Sequence, residues 1–356
     1  MSTLSTSNST STSPIGDRRA RHRWTLAAVW ALALFWPLLA PNEYVLSLGV
    51  YFFINLILIA SLNVIMGWTG QVSLAHAAFY GLGAYVSGVL NTRWNISPWL
   101  GTLAAILVVG GVAAFVGWAT LRLRGPYLSM GTLGFSGILS VMFVELVPLT
   151  GGPNGLAAIA PYEVFGYALD TPGRFFWLAW LIGALVMWCL INLFCSVSGR
   201  SLRAIEGSEI GANTLGINTF RAKAVAFSIS ASMAGLAGAM YAHFNQFASP
   251  ETFGFFGSVL MVVMVALGGV GSLWGPLFGA AVLTGVPELL RRFQDAELLI
   301  FGVGMILVLL YLPGGVSSLG QRCMRWYRDR STKVHAGESQ PLRKPQTESP
   351  HGTVGR

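Results

Sequence analysis

Ser73, His76, Tyr80, Gly83 and Ser87 recur at spacings of three and four, so on a helix they share one face. A hydroxyl, an imidazole and a phenol in a row can line a polar passage or anchor one helix to another. Ala77, Gly81, Ala84 and Gly88 form a second stripe beside them. Small residues at that spacing let helices approach closely in lipid, where van der Waals packing replaces the hydrophobic drive. Just upstream, "NVIMGWTGQ" sets Gly67 and Gly70 between two apolar runs. Non-helical backbone at membrane depth is tolerated only where protein or water satisfies it. Two readings stay open: a broken span whose polar face looks into a cavity, or an ordinary turn followed by a hydrogen-bonded packing histidine. His76 has no partner at ligand spacing, so no metal site is expected, and no cofactor or catalytic set emerges either.

A similar break returns late in the chain. "GGVGSLWGPLFGAA" aligns with "GWTGQVSLAHAAFY" through Gly67/Gly268 and Gly70/Gly271, at an offset of 201 residues. Paired glycine-interrupted segments point to a translocation pathway between related halves. The pathway candidates are therefore Asn63, Gly67, Gly70, Gln71, Ser73, His76, Tyr80, Gly268 and Gly271. Another small-residue stripe, Ser228, Ser232, Gly235, Ala239 and Ala242, reads as tight packing or a subunit seam.

The longest polar connection is 196–223. Within it Leu202, Ile205, Glu209, Ala212 and Leu215 recur at helical spacing, and Gly216 is placed to end the helix. An amphipathic helix of this kind suits a groove on a partner protein. The alternative, a helix lying in the lipid interface, calls for more Lys, Arg and aromatic residues than occur here.

These features must be held by membrane spans. The chain has 356 residues, of which 54% are hydrophobic and 10% charged, against about a quarter charged in soluble domains. Its net charge of +8 resides in the two tails, residues 1–23 and 321–356, with the stretch between neutral. Topology explains that better than a nucleic-acid partner does. The tails read as disordered: the first is Ser/Thr-rich and the last basic. Apolar runs at 24–40, 44–66, 71–90, 98–121, 127–147, 175–195, 224–243 and 297–313 are each long enough to span. The block 256–287 is too long for one pass, since 32 helical residues would reach ~48 Å against a ~30 Å hydrocarbon core. Two short or broken passes give ten helices in all, a polytopic all-α bundle over 24–320. The positive-inside tendency then puts both termini and the 196–223 loop in the cytoplasm, with Arg291 and Arg292 as a violation on the outer side.

At this level of detail the chain resembles the permease subunits of branched-chain amino-acid (Liv-type) ABC importers, the M-type rather than the H-type. The resemblance rests on "SLNVIMGWTGQVSLAHAAFYGLGAY", "LRLRGPYLSMGTLGFSGIL", "LTGGPNGL", "GRSLRAIEGSEIGANTLGIN" and the long stretch 234–282. It implies a bacterial inner-membrane subunit that pairs with an H-type permease. Two cytoplasmic ATP-binding subunits would dock on the coupling helix, and a periplasmic solute-binding protein would deliver leucine, isoleucine or valine. The family's coupling residues carry over to Glu209 and Gly216, with Arg200, Leu202, Arg203, Ile205, Ala212 and Leu215 around them. Gly211 stands where many members have alanine, which loosens the helix. Urea-type permeases share much of this pattern, so the solute is the finer point.

What is missing agrees with a driven gate. The chain carries no Gly-Lys-Ser/Thr phosphate loop, and Glu145, near the end of a span, has no intramembrane carboxylate partner for an ion relay. An ion-coupled secondary transporter and a membrane-embedded enzyme are the competing classes.

Overall fold

The computed structural model describes residues 25, 27–39, 42–123, 125–164 and 166–290, with 302, 303, 306 and 310. They belong to one compact unit, Met1–Ser317; the tail Ser318–Arg356, the stretch 1–24 and nearly all of the expected span 297–313 lie outside the described residues. The expected span 24–40 is helical over 27–33 and again at Trp36–Leu39.

Ten further helices matter for function. They are α1 (Glu43–Thr69), α2 (His76–Trp94), α3 (Pro98–Thr120), α4 (Pro126–Glu145), α5 (Pro172–Cys195), α6 (Val197–Gly207), α7 (Glu209–Thr214), α8 (Thr219–Asn245), α9 (Phe255–Gly268) and α10 (Gly275–Leu290). Among the described residues α1, α3, α4, α5 and α8 are long and apolar enough to cross a membrane. α9, α10 and the 19-residue α2 complete the bundle.

α1 is apolar all round and accordingly central, buried almost continuously from Phe53 to Thr69. α8 is the other central helix, and its small residues explain why. A Cβ added to Gly83 on α2 would lie 2.5 Å from the Gly235 Cα, and one on Gly238 would press on the Tyr80 carbonyl. The two backbones are thus in direct contact, as lipid-phase packing favours. Ser228 and Ser232 donate from α8 to the α3 carbonyls of Gly110 (3.0 Å) and Ile106 (3.1 Å), so this stripe is a packing seam within the chain. α4 is peripheral, with Tyr127, Met130, Ile138 and Val141 exposed.

At the end opposite the 196–218 loop, the connection between α4 and α5 takes part in two short strand pairs. Leu156–Ala157 pairs antiparallel with Phe247–Ala248, and Glu163–Val164 with Tyr167–Ala168. These short strand pairs qualify the all-α expectation without altering the bundle.

Several boundaries differ from the sequence reading, and four differences bear on function. The expected span 71–90 starts only at His76, and Gly67 lies inside α1 rather than in the break. Gly70, at φ 68°, is where the helix stops, because that left-handed backbone suits glycine. The expected span 127–147 ends at Glu145 and is followed by one turn at Val147–Thr150. α8 begins at Thr219, five residues early, because Asn218 caps it by accepting from the Arg221 amide. Finally, the amphipathic segment is two helices. Ser208 sits extended between them (φ −162°, ψ 112°) and accepts from the Gly211 amide, which favours a new N-cap over helix continuation.

Candidate functional site: the broken-helix end and its coupling loop

The break after α1 spans Gly70 to Ala75, and neighbouring helices satisfy its backbone. The Gly70 amide donates to the Ile65 carbonyl. Leu74 donates its amide to Thr132 Oγ1 (3.1 Å), and Ser129 Oγ donates to the Val72 carbonyl (3.0 Å), both from α4. Ala77 donates its amide to Ser258 Oγ on α9 at 3.1 Å. Irregular backbone here is therefore partly covered by neighbouring helices and partly open to a cavity, with Gly70 and Val72 exposed; protein or water can satisfy such backbone. Gln71 is buried, and its Oε1 has no hydrogen-bond partner among the described residues.

The second break, between α9 and α10, lies directly against the end of α1. A Cβ on Gly67 would come within 2.5 Å of the Gly271 Cα, so neither position tolerates a side chain. Asn63 fastens the contact: its Nδ2 donates to the Ser272 carbonyl at 2.9 Å, and its Oδ1 accepts from the Gly271 amide at 3.0 Å. Gly269 and Gly271 adopt φ of 105° and 74°, which explains glycine at both. Gly268 ends α9 and packs on the Gly275 carbonyl carbon, 2.8 Å from an added Cβ. Of the four glycines aligned in sequence, Gly67 and Gly271 meet in space, whereas Gly70 lies beside Glu206 and Gly268 beside Gly275.

Ser73, His76 and Tyr80 are buried. His76 Nε2 lies 3.0 Å from Ser230 Oγ, and the Ser230 hydroxyl in turn donates to the Ser61 carbonyl. The imidazole therefore donates through Nε2–H, leaving Nδ1 without a partner among the described residues. Here His76 holds α2 to α8 and, through Ser230, to α1. Tyr80 packs its ring against Tyr241 and Phe253.

A second clamp repeats the chemistry at the far end of the same helices. Ser87 Oγ lies 2.7 Å from His243 Nε2, and His243 Nδ1 donates to the Ala160 carbonyl at 2.7 Å. Tyr162 packs tilted against the imidazole, 4.7 Å between centroids, and shares a 2.6 Å hydrogen bond with Thr102. Burial raises the Tyr162 phenol well above its ordinary value, against a smaller lowering from the Thr102 bond, so it stays protonated. Sequence reasoning placed Ser87 on its stripe and missed His243. The signal was there, a lone histidine ending a small-residue helix.

In the loop, Leu202, Ile205 and Ala212 are buried against the chain's own bundle. The expected apolar ridge is therefore divided: its first two apolar members and Ala212 face inward, whereas its last, Leu215, is 79% exposed and neighbouring Ile210 76%. The arginines bond to backbone carbonyls, Arg203 half-buried and Arg200 exposed. Arg203 donates to the Gly199 (3.2 Å) and Phe194 (3.1 Å) carbonyls and covers the Phe194 ring. Arg200 donates to the Cys195 carbonyl at 3.2 Å, so both cap the carboxyl end of α5, where cations are favoured. Glu209 pairs with Lys223 of α8 at 2.6 Å, and Gly216 turns the chain at φ 82°. Between this loop, the first break, Leu121–Leu123 and Gly125–Pro126 opens a cavity of about 920 Å³, bordered also by Gln71, Glu206, Glu209 and Lys223. Among the described residues no group of His, Cys, Asp or Glu could hold a metal ion.

Broken helices packed face to face, buried polar clamps between spans and an exposed loop at the broken end define a multi-pass membrane protein of the permease class. The chain belongs to the family described as branched-chain amino acid transport system / permease component, whose model matches residues 44–309. It is 32% identical over 325 residues to the high-affinity branched-chain amino acid transport system permease protein LivM of Escherichia coli K12, covering 85% of this chain and 76% of that protein. LivH of Salmonella typhimurium is 27% identical, over 71% of this chain and 88% of its own. The autoinducer 2 import system permease protein LsrC of Enterobacter sp. strain 638 is 29% identical, over 77% and 81%. No solved structure matches the chain.

Proposed function

We propose that this chain is the transmembrane subunit of an ABC importer in the bacterial inner membrane, forming half of a pathway for leucine, isoleucine and valine. Its partners are a second, H-type permease, two cytoplasmic ATP-binding subunits and a periplasmic solute-binding protein, and ATP is hydrolysed in the partners. Both termini and the 196–218 loop face the cytoplasm. The observation that carries the reading is the loop itself: α7 is packed inward through Ala212 while Ile210 and Leu215 stand bare beside the broken-helix end. Bare apolar side chains on a water-side loop suit a protein groove. The Gly70–Ala75 and 269–274 breaks are the segments proposed to move when the pathway opens, with Asn63, Gly67, Gly70, Gln71, Ser73, His76, Tyr80, Gly268 and Gly271 on or beside them.

Two measurements test this. Cells lacking other uptake systems and expressing the whole assembly should accumulate labelled leucine, isoleucine and valine, and lose uptake when the ATPase loses its catalytic carboxylate. Uptake of urea instead would replace the solute, and ion-driven uptake by this chain alone would replace the class. A cysteine at Leu215 should react with an impermeant maleimide only after the cells are opened.

A further inference from the structure

Lys223 is a buried ammonium at the root of a spanning helix. Its side chain is 10% exposed and its Nζ sits 2.6 Å from Glu209 Oε2. A charge in that position is retained only when paired, because a lone buried ion costs far more than a paired one. The pair joins α7 to α8, and it has company: Thr219 Oγ1 lies 3.2 Å from Asn213 Oδ1, linking the same two helices. Toward α6, by contrast, α7 is separated by the extended Ser208, so the two do not form one rod. α7 is therefore tied by its side chains to α8 through Glu209–Lys223 and Asn213–Thr219. And α8 reaches the rest of the bundle through side-chain hydrogen bonds to three other helices: Ser230 to α1, Ser230 and His243 to α2, Ser228 and Ser232 to α3.

From this geometry we infer that Lys223 is a positioning residue for transport: it holds Glu209 in cis, so that a push on α7 turns α8 and, through the buried clamps, the helices that border both breaks. Glu209 then serves as the inner end of a lever inside this chain, and the partner touches the outer face carrying Ile210 and Leu215. The inference rests on the proposed permease function but asks a separate question, namely which side of the interface Glu209 works on.

Charge exchange answers it. The complete importer is reconstituted in proteoliposomes with unchanged protein, Glu209→Lys, Lys223→Glu, Lys223→Gln and the double exchange Glu209→Lys/Lys223→Glu. Leucine uptake and ATP hydrolysis are measured together. Each single variant should lower uptake at least tenfold and raise the ATP consumed per leucine. The double exchange should return uptake to within about threefold of the unchanged importer and restore that ratio. A purely structural role would lower yield without moving the ratio in assembled complexes. If Lys223→Glu does not assemble, Lys223→Gln, which keeps shape and removes charge, carries the test of the singles. An unrescued double exchange, or normal coupling in Lys223→Gln, overturns the inference. Absence of leucine uptake by the unchanged importer would instead overturn the functional proposal.

Discussion

Replacing Asn63 by leucine removes both ends of one amide clamp while keeping the branched shape of the side chain. In the folded protein that amide accepts from the Gly271 amide at 3.0 Å and donates to the Ser272 carbonyl at 2.9 Å, from a position 3% exposed. A hydrogen bond contributes about 1 kcal/mol net in water-soluble proteins, and side-chain bonds within membrane proteins average about 0.6 and reach about 1.7 kcal/mol. Two together are therefore worth roughly 1–3 kcal/mol. At 1.4 kcal/mol per factor of ten, local opening of the second break becomes about 5- to 150-fold more frequent. Hydrogen exchange with mass spectrometry on the detergent-solubilised chain reads this directly. Peptides covering 266–276 should exchange faster by that factor, while peptides from the middle of α8 stay unchanged. Exchange altered less than twofold over 266–276, in a variant whose thermal midpoint matches the parent, would refute the idea that Asn63 clamps the two breaks together.

Further outcomes follow from the same packing. Gly238→Val should destabilise by about 1–3 kcal/mol through overpacking, since its side chain would meet the Tyr80 carbonyl, whereas Gly111→Val, with open space around its Cβ, should leave the thermal midpoint unchanged. Ser87→Ala orphans His243 Nε2 and should cost about 1–3 kcal/mol, checked as a lowered midpoint in the purified chain. Ile210→Asp with Leu215→Asp should abolish co-purification of the ATP-binding subunits without reducing the amount of permease in the membrane. Retention of those subunits would move the docking surface elsewhere.

Composition and period alone determined much of this protein. A chain this apolar and this poor in charge has to be a membrane bundle, and helical spacing put His76, Tyr80 and Ser87 on one face of α2, while Ser73 falls in the break before it. The excessive length of the 256–287 block required an interruption, and α9 and α10 are separated by one. These inferences hold because they depend on local geometry and on the thickness of lipid, both of which act on short stretches. What the tertiary structure decided is which groups meet. Asn63 finds Gly271 across 208 residues of chain, and His76 finds Ser230 across 154; no periodic pattern records such a pairing. The coupling segment shows the same division. Spacing revealed an amphipathic stretch, but which of its residues face the chain's own bundle was decided in three dimensions: Leu202, Ile205 and Ala212 are buried, Leu215 is bare, and Glu209 meets Lys223 of α8.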